Sequence, residues 1–171
     1  MITIETYLNL NHAALKRLCR DYGVKGSILG APLSNPKVAK NAKENGVLTW
    51  TLNLAPAKSS GRQVCAHASD GCAKACLDSA GNPVYLETKQ AARKARTNLF
   101  FENRPLFVAC LIKEMKANER KGRRDNYATA YRPNTTSDIP YEKYKVDYFG
   151  KRVSLADIMH QNAPLAKLYD Y

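Results

Sequence analysis

The stretch GVLTWTLNLAP, residues 46–56, alternates between apolar and polar side chains with a period of two. Successive side chains of an extended chain point to opposite faces, so this period separates an apolar face from a polar one. The apolar face holds Leu48, Trp50, Leu52 and Leu54, and the polar face holds Thr49, Thr51 and Asn53. The pattern predicts a β-strand that leads into a polar loop.

Helical and extended patterns alternate along the rest of the chain. Helices are predicted from Asn11 to Gly23, from the Asn82–Pro83 pair to about Glu102, and from Pro105 to Gly122. Then follow a strand within residues 126–132, a helix that holds Tyr141 and Tyr144, a helix capped by Ser154, and a strand within residues 165–171. Residues 23–46 are rich in Gly, Pro, Asn and Ser and are predicted to be mostly loop.

Strands that alternate with helices favour an α/β fold. We expect a small parallel sheet with flanking helices, arranged as open or incomplete, barrel-like βα units. A chain of 171 residues suffices for a single domain over residues 1–171. No predicted helix follows the last strand. We therefore expect either that the edge of this strand pairs with a partner in an oligomer or that the chain is a shortened form of a longer protein.

The sequence carries no sign of membrane insertion or export. No apolar run reaches the ~18 residues that a transmembrane helix needs. The N-terminus lacks the basic segment and the apolar stretch of a signal peptide. The five cysteines are an odd number, which disfavours a disulfide framework. We therefore expect a cytoplasmic protein with reduced thiols and no membrane partner.

The net charge of +12 is concentrated in the two long predicted helices. Residues 89–124 contain eleven basic and three acidic residues, a net charge of +8. Such a field attracts polyanions, so this region is a candidate surface for nucleic acid or a nucleoprotein partner. The candidate contacts are Arg93, Lys94, Arg96, Arg120, Lys121, Arg123 and Arg124. The alternative is a solvated helical face that serves only solubility.

Three of the five cysteines lie close together in VCAHASDGCAKACLDSAGN, residues 64–82. Cys65, Cys72 and Cys76 have the spacing C-x6-C-x3-C. Small residues separate them, which allows a compact loop to wrap a bulky inorganic centre. We expect an iron–sulfur cluster of the 4Fe-4S type. Zinc assisted by His67 is the competing centre, although structural zinc sites are usually built from C-x2-C pairs. The third alternative is a loop that binds no metal.

The fourth ligand of such a centre is not fixed by the spacing. Cys110 is the candidate thiol, with Cys19, His67, Asp70 and an open iron position as alternatives. Cys19 and Cys110 also fit apolar helix faces, so both could be core residues. A strand, a three-cysteine loop and a helix with an open iron position would resemble radical S-adenosylmethionine enzymes in topology. Their cysteine spacing is absent here. An enzyme of that kind is the alternative function.

A second polar segment, RPNTTSD at residues 132–138, follows another predicted strand. Loops at the carboxyl ends of parallel strands gather at one edge of a sheet, so this segment and the cysteine loop are expected to meet. Its candidate substrate or partner pocket consists of Arg132, Asn134, Thr135, Ser137 and Asp138. The alternative for Ser137 and Asp138 is a helix cap, because both residue types favour that position.

Several blocks of the sequence resemble the phage gene-product-eighty-eight family. They are NPKVAKNAK, LNLAPAKSSGRQVCAHASDGCAKACLDSAG, AARKART, YRPNTTSDIPYE and the final LYDY, in that order. The resemblance covers about residues 35–171 and leaves residues 1–34 as an N-terminal helix and loop. It implies a phage-encoded protein with Cys65, Cys72 and Cys76 as the motif cysteines. It also implies that Arg93, Thr97 and the Asn134, Ser137 and Asp138 block belong to the family pattern.

Overall fold

The computed structural model describes residues 2–74, 76 and 86–170. Within them the helices are α1 (Ile4–Leu8), α2 (His12–Asp21), α3 (Pro36–Asn45), α4 (Asp70–Lys74), α5 (Leu86–Glu102), α6 (Arg104–Arg124) and α7 (Leu155–Asn162). The strands are β1 (Leu29–Gly30), β2 (Val47–Leu52), β3 (Ala128–Arg132), β4 (Lys145–Tyr148), β5 (Lys151–Ser154) and β6 (Lys167–Leu168). The expected start of α5 at Asn82–Pro83 lies outside the described residues.

The main sheet has the strand order β1-β2-β3-β6 and is mostly parallel. β2 pairs in parallel with β3, with Val47 opposite Ala128, and β3 pairs in parallel with β6. β1 runs antiparallel to β2 and closes one side of the sheet. The predicted α/β class with a small parallel sheet is confirmed. In the described part of the chain the sheet is open rather than a closed barrel.

The apolar–polar alternation in β2 does not separate a face that packs on the core from a face that meets water. Leu48 and Trp50 are buried, but Thr49 on the opposite face of β2 is only 1% exposed. β2 lies between β1 and β3, and helices cover the sheet, so both of its faces are dry. Both kinds of side chain in the 46–56 stretch therefore belong to the interior of the protein.

The helix α6 packs against the sheet along a close contact at Gly122. A Cβ at Gly122 would lie 2.4 Å from the Thr129 Cγ2 atom of β3, so only glycine allows this approach. Gly122 was expected to end the helix, but α6 continues to Arg124. The glycine therefore serves packing between α6 and β3. At the other end, the Asn103 side chain caps α6 by accepting from the Leu106 N–H.

The N-terminal helices are fixed to the α5–α6 junction by one amide. The Asn103 Nδ2 group donates to the Tyr7 hydroxyl at 3.0 Å and to the Tyr22 hydroxyl at 3.2 Å. Ile4 of α1 and Leu15 of α2 belong to the same buried cluster as the residues of α6. The predicted helix with Asn11 as its cap is confirmed as α2.

Two expectations of secondary structure were wrong. No helix holds Tyr141 and Tyr144, because residues 141–143 form a turn and the chain then enters the β4–β5 hairpin. Residues 23–46 are not mostly loop, since they contain β1 and α3. The strand predicted within residues 165–171 is confirmed as β6, which has two residues. None of the described helices is both long and apolar enough to cross a membrane.

Candidate metal centre

A cavity of about 550 Å³ lies at the edge of the sheet where β2 and β3 end. The side chains of Cys65, Cys72 and Cys76 line one part of it. Residues 135–138, which follow β3, line another part. The expectation that the cysteine loop and the RPNTTSD segment meet at one edge is confirmed, because parallel strands deliver both loops to the same side.

The two loops are joined by backbone hydrogen bonds. The Asp138 N–H donates to the Val64 carbonyl at 2.9 Å, and Cys65 and Asp138 form an isolated parallel bridge. The Thr136 hydroxyl donates to the Leu54 carbonyl at 2.6 Å. These hydrogen bonds hold the cysteine loop and the segment after β3 side by side, in continuation of the pairing between β2 and β3.

Thr97 of α5 fixes the cysteine loop from the opposite side. Its hydroxyl accepts from the Ala55 N–H at 2.8 Å and donates to the Arg93 carbonyl at 2.9 Å. Thr97 is fully buried and Ala55 is 1% exposed, so this N–H has no access to water. Thr97 therefore sets where the chain leaves β2 and turns toward Cys65.

We expect Thr97→Val to destabilise the protein by about 1–3 kcal/mol, because valine keeps the shape but leaves the buried Ala55 N–H unpaired. Urea unfolding followed by circular dichroism measures the change. Thr88→Val is the matched control, since Thr88 lies exposed on the same helix, and its effect should stay within about 0.5 kcal/mol. Equal stability of the two variants would contradict the role given to Thr97.

The Cys65 sulfur already receives a backbone hydrogen bond. The Ala57 N–H donates to Sγ at 3.3 Å, and the side chain of Cys65 is half-buried. Ala57 adopts a φ of 45°, a left-handed conformation that non-glycine residues rarely take. The backbone turn that aims this N–H at the sulfur is therefore strained, and N–H groups aimed at sulfur are a feature of iron–sulfur sites.

Cys72 and Cys76 lie in the later part of the cysteine loop, after Cys65. Cys72 is exposed in the short helix α4, where its N–H donates to the Ser69 hydroxyl at 3.2 Å. Cys76 is half-buried and lies beyond Lys74, the last residue of α4. Cys72 and Cys76 are four positions apart in the sequence, a spacing that would place them on one face of a helix. The structure keeps them on one cavity, but Cys76 is not in the helix that holds Cys72.

The side chains at this cavity carry the types of donor group that thiolate-bound centres use. Three thiols line one cavity, and the imidazole of His67 and the carboxyl of Asp138 line it too. Thiolates select iron–sulfur clusters and zinc among the common biological centres. Among the described residues, no three His, Cys, Asp or Glu side chains stand in an arrangement that would hold a single metal ion.

Cys110 lies elsewhere in the structure. It is buried against Cys19, with 3.1 Å between the two Sγ atoms, and these two thiols line a different, small cavity between α2 and α6. The hydrogen bond with Cys19, together with burial, raises the pKa of Cys110 above its ordinary value, which favours the thiol over the ligating thiolate. As a fourth ligand, Cys110 is therefore corrected to a core residue, and Cys19 with it.

Of the remaining fourth-ligand candidates, only His67 lines the cavity, and Asp70 does not. Asp138 was assigned to the substrate pocket, yet the structure adds it to the possible ligands because its loop pairs with Cys65. Its place after a parallel strand was the signal for that role.

Two of the five predicted pocket residues do not face the cavity. Asn134 closes its own loop, since its Oδ1 accepts from the Ile139 N–H and the Ser137 hydroxyl, both at 3.0 Å. Arg132 lines a small interior cavity with Leu52 and Met159. Thr135, Ser137 and Asp138 do line the cavity. The helix-cap alternative for Ser137 and Asp138 is wrong, because no helix begins there and the chain instead passes through a turn into β4.

The basic residues expected to contact nucleic acid have different surroundings. The Arg96 guanidinium donates to the Ser27 carbonyl at 3.2 and 3.1 Å. The prediction of Arg96 as a surface contact is therefore corrected, because its side chain holds α5 against residues 27–29. Lys121 and Arg124 both pair with Asp125, at 2.7 and 2.8 Å, and the pKa of Asp125 is lowered to about 2 by Arg124 and Lys121. Lys94, Arg120 and Arg123 are exposed, and Arg93 is half-buried.

Comparison with family models gives a match to Gene product 88 over residues 28–171. This chain belongs to the Gene product 88 family. The match includes the cysteine loop, the RPNTTSD segment and both long helices, and it begins seven residues before the expected boundary at residue 35. Membership confirms the phage resemblance. No curated protein and no solved structure matches the chain.

Proposed function

We propose that this Gene product 88 protein binds an iron–sulfur cluster, of the 4Fe-4S type, through Cys65, Cys72 and Cys76. The observation that carries the proposal is that three thiols separated by up to eleven positions line one cavity at the functional edge of a parallel sheet. Such a cluster supplies one-electron redox chemistry when it is bound. The protein would act in the cytoplasm of the phage's host.

The residues around the thiols have separate tasks in this proposal. The Ala57 N–H stabilises the negative charge of the Cys65 sulfur, as charge-assisted hydrogen bonds do. The bridge between Cys65 and Asp138 holds the second wall of the cavity in place. Thr97 anchors the loop that carries Cys65 to the buried helix α5. Together they preorganise one of the three ligands before any metal arrives.

The fourth position supports an alternative function. His67 or Asp138 would complete the ligand set, or the position stays open toward Thr135 and Ser137. An open position beside two hydroxyl groups favours an enzyme in which a small polar substrate binds at the iron, similar to radical S-adenosylmethionine enzymes. Cleavage of S-adenosylmethionine by the reduced protein would support this alternative, and no cleavage would leave a cluster with a structural or sensing role.

Anaerobic purification followed by iron, acid-labile sulfide and zinc analysis tests the proposal. About four iron and four sulfide per chain are expected for a 4Fe-4S cluster. One zinc per chain with no sulfide would instead assign the cysteines, with His67, to a zinc-stabilised binding module. A protein that holds neither metal after reconstitution would contradict both assignments.

The second part of the proposal is a nucleic-acid interface on the basic helices. Lys94, Arg120 and Arg123 are exposed, and the 89–124 region carries a net charge of +8. Such a surface binds phosphates in a salt-dependent manner. Binding to labelled DNA that weakens steeply with salt supports this part, and no binding even at low salt reduces these helices to a solvated face. The expected oligomer through the edge strand β6 stays a prediction that sedimentation can test.

A further inference from the structure

A second large cavity, a groove of about 730 Å³, runs beside α6 and shares no lining residue with the cysteine-lined cavity. One wall is formed by α6, and the other by the segment from Ser27 to Pro32. Four cationic side chains line it, namely Lys113, Lys116, Arg120 and Lys121. Lys113 and Lys116 were not among the candidate nucleic-acid contacts, because the sequence does not show that the segment from Ser27 to Pro32 lies opposite them.

The cations form a stripe on one face of α6. Lys113, Lys116 and Arg120 are separated by three and four positions, which places them on one helical face. At ~1.5 Å per residue they span about 10 Å along the helix axis. In duplex DNA, where each strand carries one phosphate about every 3.4 Å of helix axis, that length covers about three phosphate steps.

The acidic residues of α6 do not neutralise this stripe. The Glu114 carboxylate accepts from the Ile28 and Leu29 N–H groups, both at 2.8 Å. Glu119 is buried and accepts from the Leu165 N–H at 3.1 Å. Within the described residues, no carboxylate pairs with Lys116 or Arg120. Of the four cations, Lys121 pairs with Asp125 and the Lys113 ammonium donates to the Leu10 carbonyl, which leaves Lys116 and Arg120 as the cations that face the groove without a carboxylate partner among the described residues.

The groove offers charge rather than an aromatic surface. Trp50 lines it, but its side chain is only 4% exposed and stacks on Tyr131 with 5.8 Å between ring centroids. Stacking of bases needs an exposed ring, so base recognition on Trp50 is excluded by its burial. As the single tryptophan of the chain, Trp50 still reports on whatever enters the groove.

We infer that this groove binds the sugar–phosphate backbone of a nucleic-acid strand, with Lys116 and Arg120 as the principal phosphate contacts and without base-specific recognition. The inference rests on the proposed nucleic-acid interface and centres it on the groove beside α6 rather than on the exposed Lys94 and Arg123. Binding would be tolerant of sequence and strongly dependent on salt.

Fluorescence anisotropy with a fluorescein-labelled single-stranded DNA of about 16 nucleotides tests the inference. The full-length protein is compared with Lys116→Gln/Arg120→Gln. The control is Lys143→Gln/Lys145→Gln, which removes the same charge at exposed positions near the hairpin. At about 0.1 M salt the groove variant should bind about 25-fold more weakly, and its salt slope should fall by about 1.4, because each contact to a single strand contributes ~0.7.

Two further readouts separate the groove from the wider interface. Saturating DNA should change the Trp50 emission of the wild type and of the control. If the groove variant binds DNA as tightly as the wild type while Lys94→Gln/Arg123→Gln binds more weakly, the groove is not the binding site. The nucleic-acid interface would then lie elsewhere on the protein. If the wild type binds no DNA at low salt, the proposed interface fails and the groove fails with it.

Discussion

We expect Cys65→Ser, Cys72→Ser and Cys76→Ser each to abolish iron binding, and Cys110→Ser to leave it intact. The three loop thiols line one cavity, while Cys110 is buried against Cys19 in another. A serine hydroxyl is a poor substitute for a thiolate ligand, so each loop variant would lose one bond to the proposed cluster. Iron and sulfide content per chain after anaerobic purification measures the effect.

The Cys110→Ser variant is the matched control for this series, because it makes the same atomic change at a buried cysteine. Its iron content should equal that of the wild type, although its stability should fall modestly. Loss of iron from Cys110→Ser, with retention in a loop variant, would show that the ligand set is not the one proposed here. Circular dichroism of every variant separates loss of cluster from loss of fold.

Phe100→Ala is expected to destabilise the protein by about 3–5 kcal/mol, the cost of truncating a fully buried aromatic side chain. Phe100 is 0% exposed and lies at the centre of an aromatic cluster. Its ring makes edge contacts with Phe107 at 5.2 Å and with Tyr144 at 5.5 Å. The Arg104 guanidinium lies 4.9 Å from the ring centroid. The cluster joins α5 and α6 to the chain after the RPNTTSD segment.

Thermal unfolding under identical anaerobic conditions measures this effect as a fall in Tm of about 6 °C or more. Leu33→Ala is the control, since Leu33 is an apolar side chain that is 68% exposed, and its Tm should scarcely change. A Phe100→Ala variant as stable as Leu33→Ala would mean that the contact between α5 and residues 141–144 does not exist in solution.

The elements with strong local signals were predictable from the sequence. The alternation in 46–56 predicts β2, and Asn11 and Ser154 predict the starts of α2 and α7, because each side chain accepts a hydrogen bond from an N–H in the first turn. The meeting of the cysteine loop with residues 135–138 followed from parallel pairing of β2 and β3. In these cases a local pattern or a topological rule was sufficient.

The hairpin of β4 and β5 was missed because its turn uses an unusual residue. Phe149 and Gly150 both have positive φ, at 48° and 72°, which two-residue hairpin turns of this kind require. Asparagine or aspartate usually precedes the glycine, so Phe149-Gly150 gave no clear turn signal. Tyr141 and Tyr144 then fitted a helical spacing by chance, although they point into the aromatic cluster around Phe100.

Roles that depend on how a loop closes or on which distant segments meet could not be predicted. Asn134 has the chemistry of a pocket residue, and only the fold shows that it bonds Ile139 instead. Cys110 has the chemistry of a ligand, and only the crossing of α2 and α6 places it beside Cys19, 91 positions away. Arg96 has the charge of a phosphate contact, yet its carbonyl partner lies 69 positions away.

The most direct test of the central claim is anomalous diffraction at the iron edge from crystals of the anaerobically purified protein. We expect one compact peak in the cavity, within bonding distance of the sulfur atoms of Cys65, Cys72 and Cys76 and remote from Cys110. An iron-free cavity in crystals of protein that has been reconstituted with iron and sulfide, with those three sulfur atoms turned away from one another, would contradict the account.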